Sequence, residues 1–117
     1  MKILIFGGNR FVGKLVTKQL YTAGHDITLI NRTGTSPVPC SVIKCDRNDS
    51  DSLRSAIGDT FFDCVIDMCL YNTSQAVITT DILKNNTHKY IFISSIAVYD
   101  NTDIYPISIY ATADGIL

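Results

Sequence analysis

Five short segments of the chain are apolar almost throughout, and a longer segment of different periodicity separates each from the next. They are residues 2–6, 27–31, 42–45, 64–69 and 89–94. Strands that are apolar on both faces are typical of a parallel sheet covered by helices on both sides. The alternation therefore predicts an α/β fold: an open, doubly wound parallel sheet with right-handed crossovers and strand order 3-2-1-4-5.

Three of the intervening segments have helical spacing: residues 11–23, 50–57 and 73–85. In the first, the face predicted to pack on the sheet carries Val12, Leu15, Val16, Leu20 and Ala23, and the opposite face carries Lys14, Thr17 and Lys18. Ser50 or Asp51 is expected to cap the second helix. In the third, the residues expected to face inward are Val77, Ile78, Ile82 and Leu83.

The size and charge of the chain exclude several classes of protein. With 117 residues, of which 46% are hydrophobic and 18% charged, it has the composition of one globular domain. Its net charge of −1 gives no electrostatic reason to expect nucleic acid or a membrane as partner. No apolar run reaches the ~18 residues of a membrane span, and the N-terminus lacks the apolar core of a secretion signal. We therefore expect a cytoplasmic protein.

The four cysteines do not have the spacing of a metal site. Cys40 and Cys45, and again Cys64 and Cys69, are separated by four residues, whereas zinc ribbons and redox sites use two. Three of them lie in or at the ends of apolar runs, where cysteine behaves as a small buried hydrophobe. We interpret them as structural and expect no bound metal, with a metal or disulfide role as the alternative.

A glycine-containing turn between the first strand and the first helix is the most informative motif. A dinucleotide pyrophosphate needs a tight turn, a close backbone approach and free N–H groups at a helix N-terminus. Gly7 can supply the turn, and Gly13 the close packing of helix on strand. The residues predicted to contact the cofactor here are Gly7, Asn9, Arg10, Phe11, Val12 and Gly13. Alternatively, the glycines form a plain turn and Arg10 is a solvated side chain.

With this turn, the sequence resembles the NAD(P)-binding half of the short-chain dehydrogenase/reductase superfamily. The resemblance is to its extended branch, the NAD-dependent epimerase/dehydratase-like proteins, and implies a Rossmann fold. That family carries G-x-x-G-x-x-G, and this chain reads Gly7-Gly8-Asn9-Arg10-Phe11-Val12-Gly13, with Arg10 in place of the middle glycine. The similarity covers about residues 1–99.

Further matches imply roles for residues at the ends of later strands. Asp46 sits where the family's aspartate contacts adenine, although it could merely start a turn. Arg47, which follows it, is also predicted to contact the cofactor. The end of the fourth strand, with Cys69 and Leu70, borders the ribose and pyrophosphate in the family. Residues 93–99 resemble the S-S-x-x-V-Y signature, in which the matching serine, Ser95, is catalytic. Alternatively, Ser95 only satisfies backbone groups.

The choice between NAD and NADP depends on the end of the second strand. An acidic residue there would bind the ribose 2′-hydroxyl of NAD, but this chain has Asn31 and then Arg32. Arg32 can pair with a 2′-phosphate and stack on adenine. NADP is therefore favoured over NAD.

The family's acid–base pair, a tyrosine followed four positions later by lysine, is absent from this sequence. Tyr99, Tyr105 and Tyr110 are followed at that spacing by Asp103, Ile109 and Asp114. We therefore expect a truncated oxidoreductase or epimerase that is inactive alone. A small-molecule substrate is expected only if a longer chain exists. The alternative is a non-catalytic, redox-sensing NAD(P)-binding module.

Residues 99–117 show neither a helical nor a strand period. We expect an NAD(P)-binding domain over residues 1–98, followed by an irregular tail over residues 99–117. The fifth strand, residues 89–94, would then be an open apolar edge. Self-association through that edge or through the tail is the expected consequence.

Overall fold

A computed structural model describes residues 1–8, 11–68, 73–95, 106–112 and 115–116, whose strands form one mixed sheet. Along the chain the elements are β1 (Lys2–Phe6), α1 (Phe11–Thr22), β2 (Asp26–Asn31), β3 (Ser41–Lys44), α2 (Ser50–Ile57), β4 (Cys64–Asp67), α3 (Thr73–Leu83), β5 (Lys89–Ser95), β6 (Pro106–Thr112) and β7 (Gly115–Ile116). Over this part of the chain the strand order is β3-β2-β1-β4-β5-β6-β7. Strands β1 to β5 pair in parallel. This confirms the predicted α/β fold with parallel order 3-2-1-4-5.

Strand β1 lies at the centre of the parallel strands, and its side chains alternate between two apolar cores. Leu4 and Phe6 belong to the core that α2 and α3 cover, whereas Ile3 and Ile5 belong to the core beneath α1. All four are at most 1% exposed. Burying one such side chain contributes roughly 1.5–3 kcal/mol. Both faces of β1 are therefore covered, which is why residues 3–6 are all apolar.

Helix α1 packs on the sheet partly through the predicted face, since Val16 and Leu20 pack against the core beneath it, but the helix is rotated about its axis. Of the five residues expected to face the sheet, three are exposed: Val12 (51%), Leu15 (56%) and Ala23. Thr17, expected to face solvent, is fully buried. The prediction was wrong for these residues because the rotation of the helix is set by its contact with the glycine turn, where a Cβ atom on Gly13 would lie 3.0 Å from the Gly7 carbonyl oxygen.

The residue that caps helix α2 is Asp49, one position before Ser50, the nearer of the two predicted caps. The side chain of Asp49 caps it by accepting hydrogen bonds from the backbone N–H groups of Asp51 and Ser52, each at 3.2 Å. The hydrogen bond from the Ser52 amide lowers the pKa of Asp49, since it stabilises the charged carboxylate.

Helix α3 buries two of its apolar residues as predicted, but not all four. Ile82 and Leu83 are buried and Ile78 packs partly against the core, whereas Val77 is 62% exposed. The polar side chains of Gln75 and Thr79 are buried instead. No helix in the described ranges is long and apolar enough to cross a membrane.

Beyond β5 the sheet continues with antiparallel strands. β6 pairs with the whole of β5, from Lys89 opposite Thr112 to Ser95 opposite Pro106, and β7 adds two residue pairs to β6. Residues 106–112 thus form a strand where an irregular tail was expected, and the expected open edge on β5 is occupied. Main-chain hydrogen bonds, which need no side-chain periodicity, hold this ladder together.

Candidate functional site

The loops that follow β1, β2, β3 and β4 all lie at the carboxyl ends of the parallel strands. In open α/β sheets, ligands bind in the crevice outside the carboxyl ends of the strands. The predicted site residues lie in or next to these loops: Gly7 after β1, Arg32 after β2, and Asp46 after β3. The topology therefore brings together segments that are far apart in sequence.

The turn after β1 is shaped by three glycines. Gly7 has a φ of 81°, a left-handed conformation that favours glycine, and its N–H donates to the carbonyl oxygen of Ile30 at 3.1 Å. A Cβ atom on Gly13 would lie 3.0 Å from the Gly7 carbonyl oxygen, and one on Gly8 only 2.4 Å from Thr17 Oγ1. The helix N-terminus can approach the strand this closely only without those side chains.

Thr17 and Gly8 also shape this turn, although the sequence predicted no role in it for either residue. The buried Thr17 hydroxyl donates to the carbonyl oxygens of Gly8, at 3.2 Å, and Gly13, at 2.8 Å. It therefore ties the start of the turn to the first turn of α1. A polar residue at a position expected to face solvent gave no signal of this role.

Asn31, at the predicted ribose position, uses its side chain to shape the loop that follows β2. Its Oδ1 accepts hydrogen bonds from the Gly34 N–H at 2.7 Å and from the Thr33 hydroxyl at 3.3 Å. Its Nδ2 donates to the Thr35 carbonyl oxygen at 2.9 Å. The Asn31 amide thus holds residues 31–35 together, and this loop carries Arg32.

Next to this loop lies an open cavity of about 780 Å³ between the end of β3 and α2. Its lining includes Arg32 and Asp46, as well as Lys44, a cation for which the sequence predicted no role. Asp46 also accepts a hydrogen bond from the Asn48 N–H at 2.9 Å, as in a turn. The cavity thus combines two cations with carboxylates.

Arg47, predicted to contact the cofactor, directs its guanidinium group into the protein. Its Nη1 and Nη2 donate to the two carboxylate oxygens of Asp67 at 2.7 and 2.6 Å, and Nη2 also donates to the Thr79 hydroxyl at 2.8 Å. The Tyr90 hydroxyl donates to Asp67 Oδ2 at 2.6 Å. The Arg47 side chain is 8% exposed and that of Asp67 0%. Arg47 and Asp67 thus form a buried ion pair.

Burial raises the pKa of Tyr90 well above its ordinary value, and the neighbouring Asp67 carboxylate adds to this effect. A tyrosinate here would be desolvated and would face a carboxylate. Tyr90 is therefore a hydrogen-bond donor and not a proton acceptor in this structure.

The remaining predicted residues are described in part or not at all. Asn9, Arg10, Cys69 and Leu70 lie outside the described residues. Phe11 and Ser95 are placed by their backbones, at the start of α1 and at the end of β5. Val12, in the first turn of α1, is exposed.

The described cysteines occupy apolar surroundings. Cys45 and Cys64 are buried, one in each core, and Cys40 is half-buried. Burial raises the pKa of the Cys45 and Cys64 thiols. Within the ranges that the structure describes, no group of three or more His, Cys, Asp or Glu side chains could hold a metal ion.

A parallel sheet in this order, with a glycine turn between β1 and α1, defines a Rossmann-like α/β domain. The sequence profile of the NAD dependent epimerase/dehydratase family matches residues 3–114. Because this match covers nearly the whole chain, the chain belongs to that family. The resemblance inferred from the motifs is confirmed.

Individual relatives show the same relationship over part of their length. The chloroplast stem-loop binding protein of 41 kDa b from Arabidopsis thaliana is 33% identical over 90% of this chain and 32% of its own length. Pal from Bacillus thuringiensis has a TM-score of 0.71 at 20% identity, over 88% of this chain and 42% of that one. UDP-glucose 4-epimerase from Thermotoga maritima, solved with UDP-glucose, has a TM-score of 0.69 at 15% identity, over 92% of this chain and 46% of that one.

The enzyme WbmG from Bordetella bronchiseptica, solved in complex with NAD, has a TM-score of 0.61 at 21% identity, over 74% of this chain and 34% of that one. The chain therefore spans less than half the length of each of these four proteins. At such identities the solved structures share the fold with this chain.

Proposed function

We propose that this chain is the NAD(P)-binding part of an epimerase/dehydratase-like or reductase-like oxidoreductase. The single observation that carries the proposal is the close approach at the glycine turn. Side chains on Gly8 or Gly13 would fill the space between β1 and α1, so the helix N-terminus stays close to the strand end. Such a turn leaves backbone N–H groups available to an anion such as a pyrophosphate. The proposal agrees with the family and with the NAD-bound relative.

We assign a role in cofactor binding to each predicted site residue according to the strand that it follows. The turn residues Gly7, Asn9, Arg10, Phe11, Val12 and Gly13 bind the pyrophosphate. Asp46 contacts adenine, and Arg32, on the loop that Asn31 shapes, faces the 2′ position. Cys69 and Leu70 border the ribose and pyrophosphate, and Ser95 lies near the nicotinamide, which supplies hydride chemistry when bound.

A calorimetric titration of the 117-residue chain with NADP and NAD tests the proposal. We expect binding by wild type, and weaker binding by Gly13→Val, because its Cβ would lie 3.0 Å from the Gly7 carbonyl oxygen. Gln19→Val places the same β-branched residue at an exposed position of α1 and is the control. No heat of binding with either dinucleotide, from a folded wild-type chain, would overturn the proposal.

The proposed partner is the dinucleotide, with a small-molecule substrate proposed only for a longer chain, and we propose no nucleic-acid partner. The Arabidopsis relative is named for binding stem-loops, but the net charge of −1 provides no excess of cations for phosphates. Fluorescence anisotropy with a stem-loop RNA at low salt should show no saturable binding. Saturable binding that weakens with added salt would contradict this.

A further inference from the structure

Three segments that flank the proposed cofactor loops meet at one buried point. Arg47 directly follows Asp46, Phe6 directly precedes Gly7, and Asp67 ends β4. The guanidinium carbon of Arg47 lies 4.5 Å from the centre of the Phe6 ring, while its nitrogens bond to Asp67. Arg47 therefore reaches from the end of β3 across the end of β1 to the end of β4.

Two hydrogen bonds extend this connection. The backbone N–H of Met68 donates to the carbonyl oxygen of Phe6 at 3.0 Å, which ties the residue after β4 to the end of β1. The side chain of Gln75 in α3 donates to Asn48 Oδ1 at 3.1 Å, which ties α3 to the loop carrying Arg47. The ends of β1, β3 and β4 are thus linked to one another by these buried contacts.

Stability alone does not account for this ion pair. Both side chains are almost fully buried, and the desolvation of two buried charges commonly offsets their attraction, so that apolar replacements of similar volume are often tolerated. What apolar side chains cannot reproduce is the planar, two-point contact between guanidinium and carboxylate, which fixes orientation as well as distance.

We infer that Arg47 is a positioning residue of the dinucleotide site, which holds the Asp46 loop in register with the ends of β1 and β4 through its ion pair with Asp67. The inference rests on the proposed function. Arg47 acts through Asp46 and the neighbouring loops, and its guanidinium group does not itself contact the cofactor.

The decisive variant replaces the three ionisable residues of the network with apolar ones: Arg47→Met, Asp67→Leu and Tyr90→Phe together. No buried charge is left uncompensated, so we expect a folded chain with a cooperative urea transition. The Kd for NADP, measured by calorimetry, should rise roughly tenfold, a size that coupling within one network commonly reaches. Ile57→Val, a methyl deletion in the same core, is the control and should leave the Kd unchanged.

A second variant, Arg47→Lys, keeps a positive charge beside Asp67 but loses the two-point contact, and it decides the question if the triple variant does not fold. Combined with Asp46→Ala it forms a double-mutant cycle. We expect Asp46→Ala to raise the Kd less in the Arg47→Lys background than in wild type.

Two outcomes separate this inference from the proposed function. A wild-type chain that binds no dinucleotide would overturn both. Binding by wild type together with an unchanged Kd in the triple variant, or with strictly additive effects in the cycle, would overturn the inference alone.

Discussion

The hydroxyl of Thr17 donates to the carbonyl oxygen of Gly8 across the turn between β1 and α1, at 3.2 Å. Gly8 in turn has no room for a side chain, because a Cβ atom would lie 2.4 Å from that hydroxyl oxygen and 2.9 Å from Leu29 Cδ2. Gly8 leaves space for the Thr17 hydroxyl because it has no side chain, and the hydrogen bond from that hydroxyl stabilises the turn.

Replacing Thr17 with valine should destabilise the chain and loosen the turn. The shape is retained while the buried hydrogen bonds are lost, at a cost of about 1 kcal/mol or more in the free energy of unfolding. Urea unfolding and calorimetry with NADP measure the two effects. Thr17→Ser, which keeps the hydroxyl, is the matched control, and equal NADP affinities for the two variants would contradict the role assigned to the hydroxyl.

The chain should bind NADP more tightly than NAD. Arg32 and Lys44 line the cavity beside Asp46, and either cation can attract a 2′-phosphate. Arg32→Ala should weaken NADP binding by roughly tenfold, the size of one charge-assisted hydrogen bond, and change NAD binding little. Lys44→Ala should act in the same direction. The control is Lys18→Ala, an exposed cation of α1; tighter binding of NAD by wild type would refute the preference.

Stability should fall with rising pH above about 10, the ordinary pKa of tyrosine, partly through Tyr90. Its pKa is raised in the folded state, so in this range Tyr90 loses its proton in the unfolded chain while the folded chain keeps it. The unfolded state then binds fewer protons, and the free energy of unfolding decreases as pH rises.

Urea unfolding at several alkaline pH values measures this slope. In Tyr90→Phe the slope should be shallower, whereas in Tyr21→Phe, which changes an exposed tyrosine, it should match wild type. Identical slopes in all three proteins would rule out a contribution from Tyr90.

The 117-residue chain alone should turn over no substrate at a useful rate. Its sequence lacks a tyrosine followed four positions later by lysine, and acid–base catalysis of that kind contributes on the order of 10²–10⁴-fold. A serine hydroxyl such as that of Ser95 can donate a hydrogen bond but is no base at neutral pH. Steady-state reduction of a sugar nucleotide or carbonyl compound, abolished by Ser95→Ala, would show that the chain is active by itself.

Self-association stays a prediction, but the surface expected to mediate it is no longer the edge of β5. Strand β6 occupies the edge of β5, so that edge is not open to a second chain. β7 pairs with only two residues of β6, Ala111 and Thr112, and the rest of that ladder lies at the outer side of the sheet described. We expect dimers formed through the segment 99–117, seen by sedimentation at several concentrations. A monomer at every concentration would contradict this.

The sequence by itself determined the elements that depend on local pattern. Segments that are apolar almost throughout, such as residues 2–6, are typical of strands between two helical layers, so they predicted a parallel sheet. Gly7 and Gly13 likewise predicted a tight turn and a close helix, because the backbone at Gly7 favours glycine and a side chain at Gly13 would fill the space beside the strand. These properties are set by residues near each other in the chain.

The tertiary structure decided everything that depends on which side chains meet. Arg47 and Asp67 are 20 residues apart, and only the assembled sheet brings the guanidinium group onto the carboxylate rather than into the crevice outside the strand ends. In the same way, contact with the glycine turn rotated α1 so that Thr17, and not Val12 or Leu15, is buried. A hydrophobic period measures an average over one helix, whereas a buried polar group needs a particular partner, and that partner comes from elsewhere in the chain.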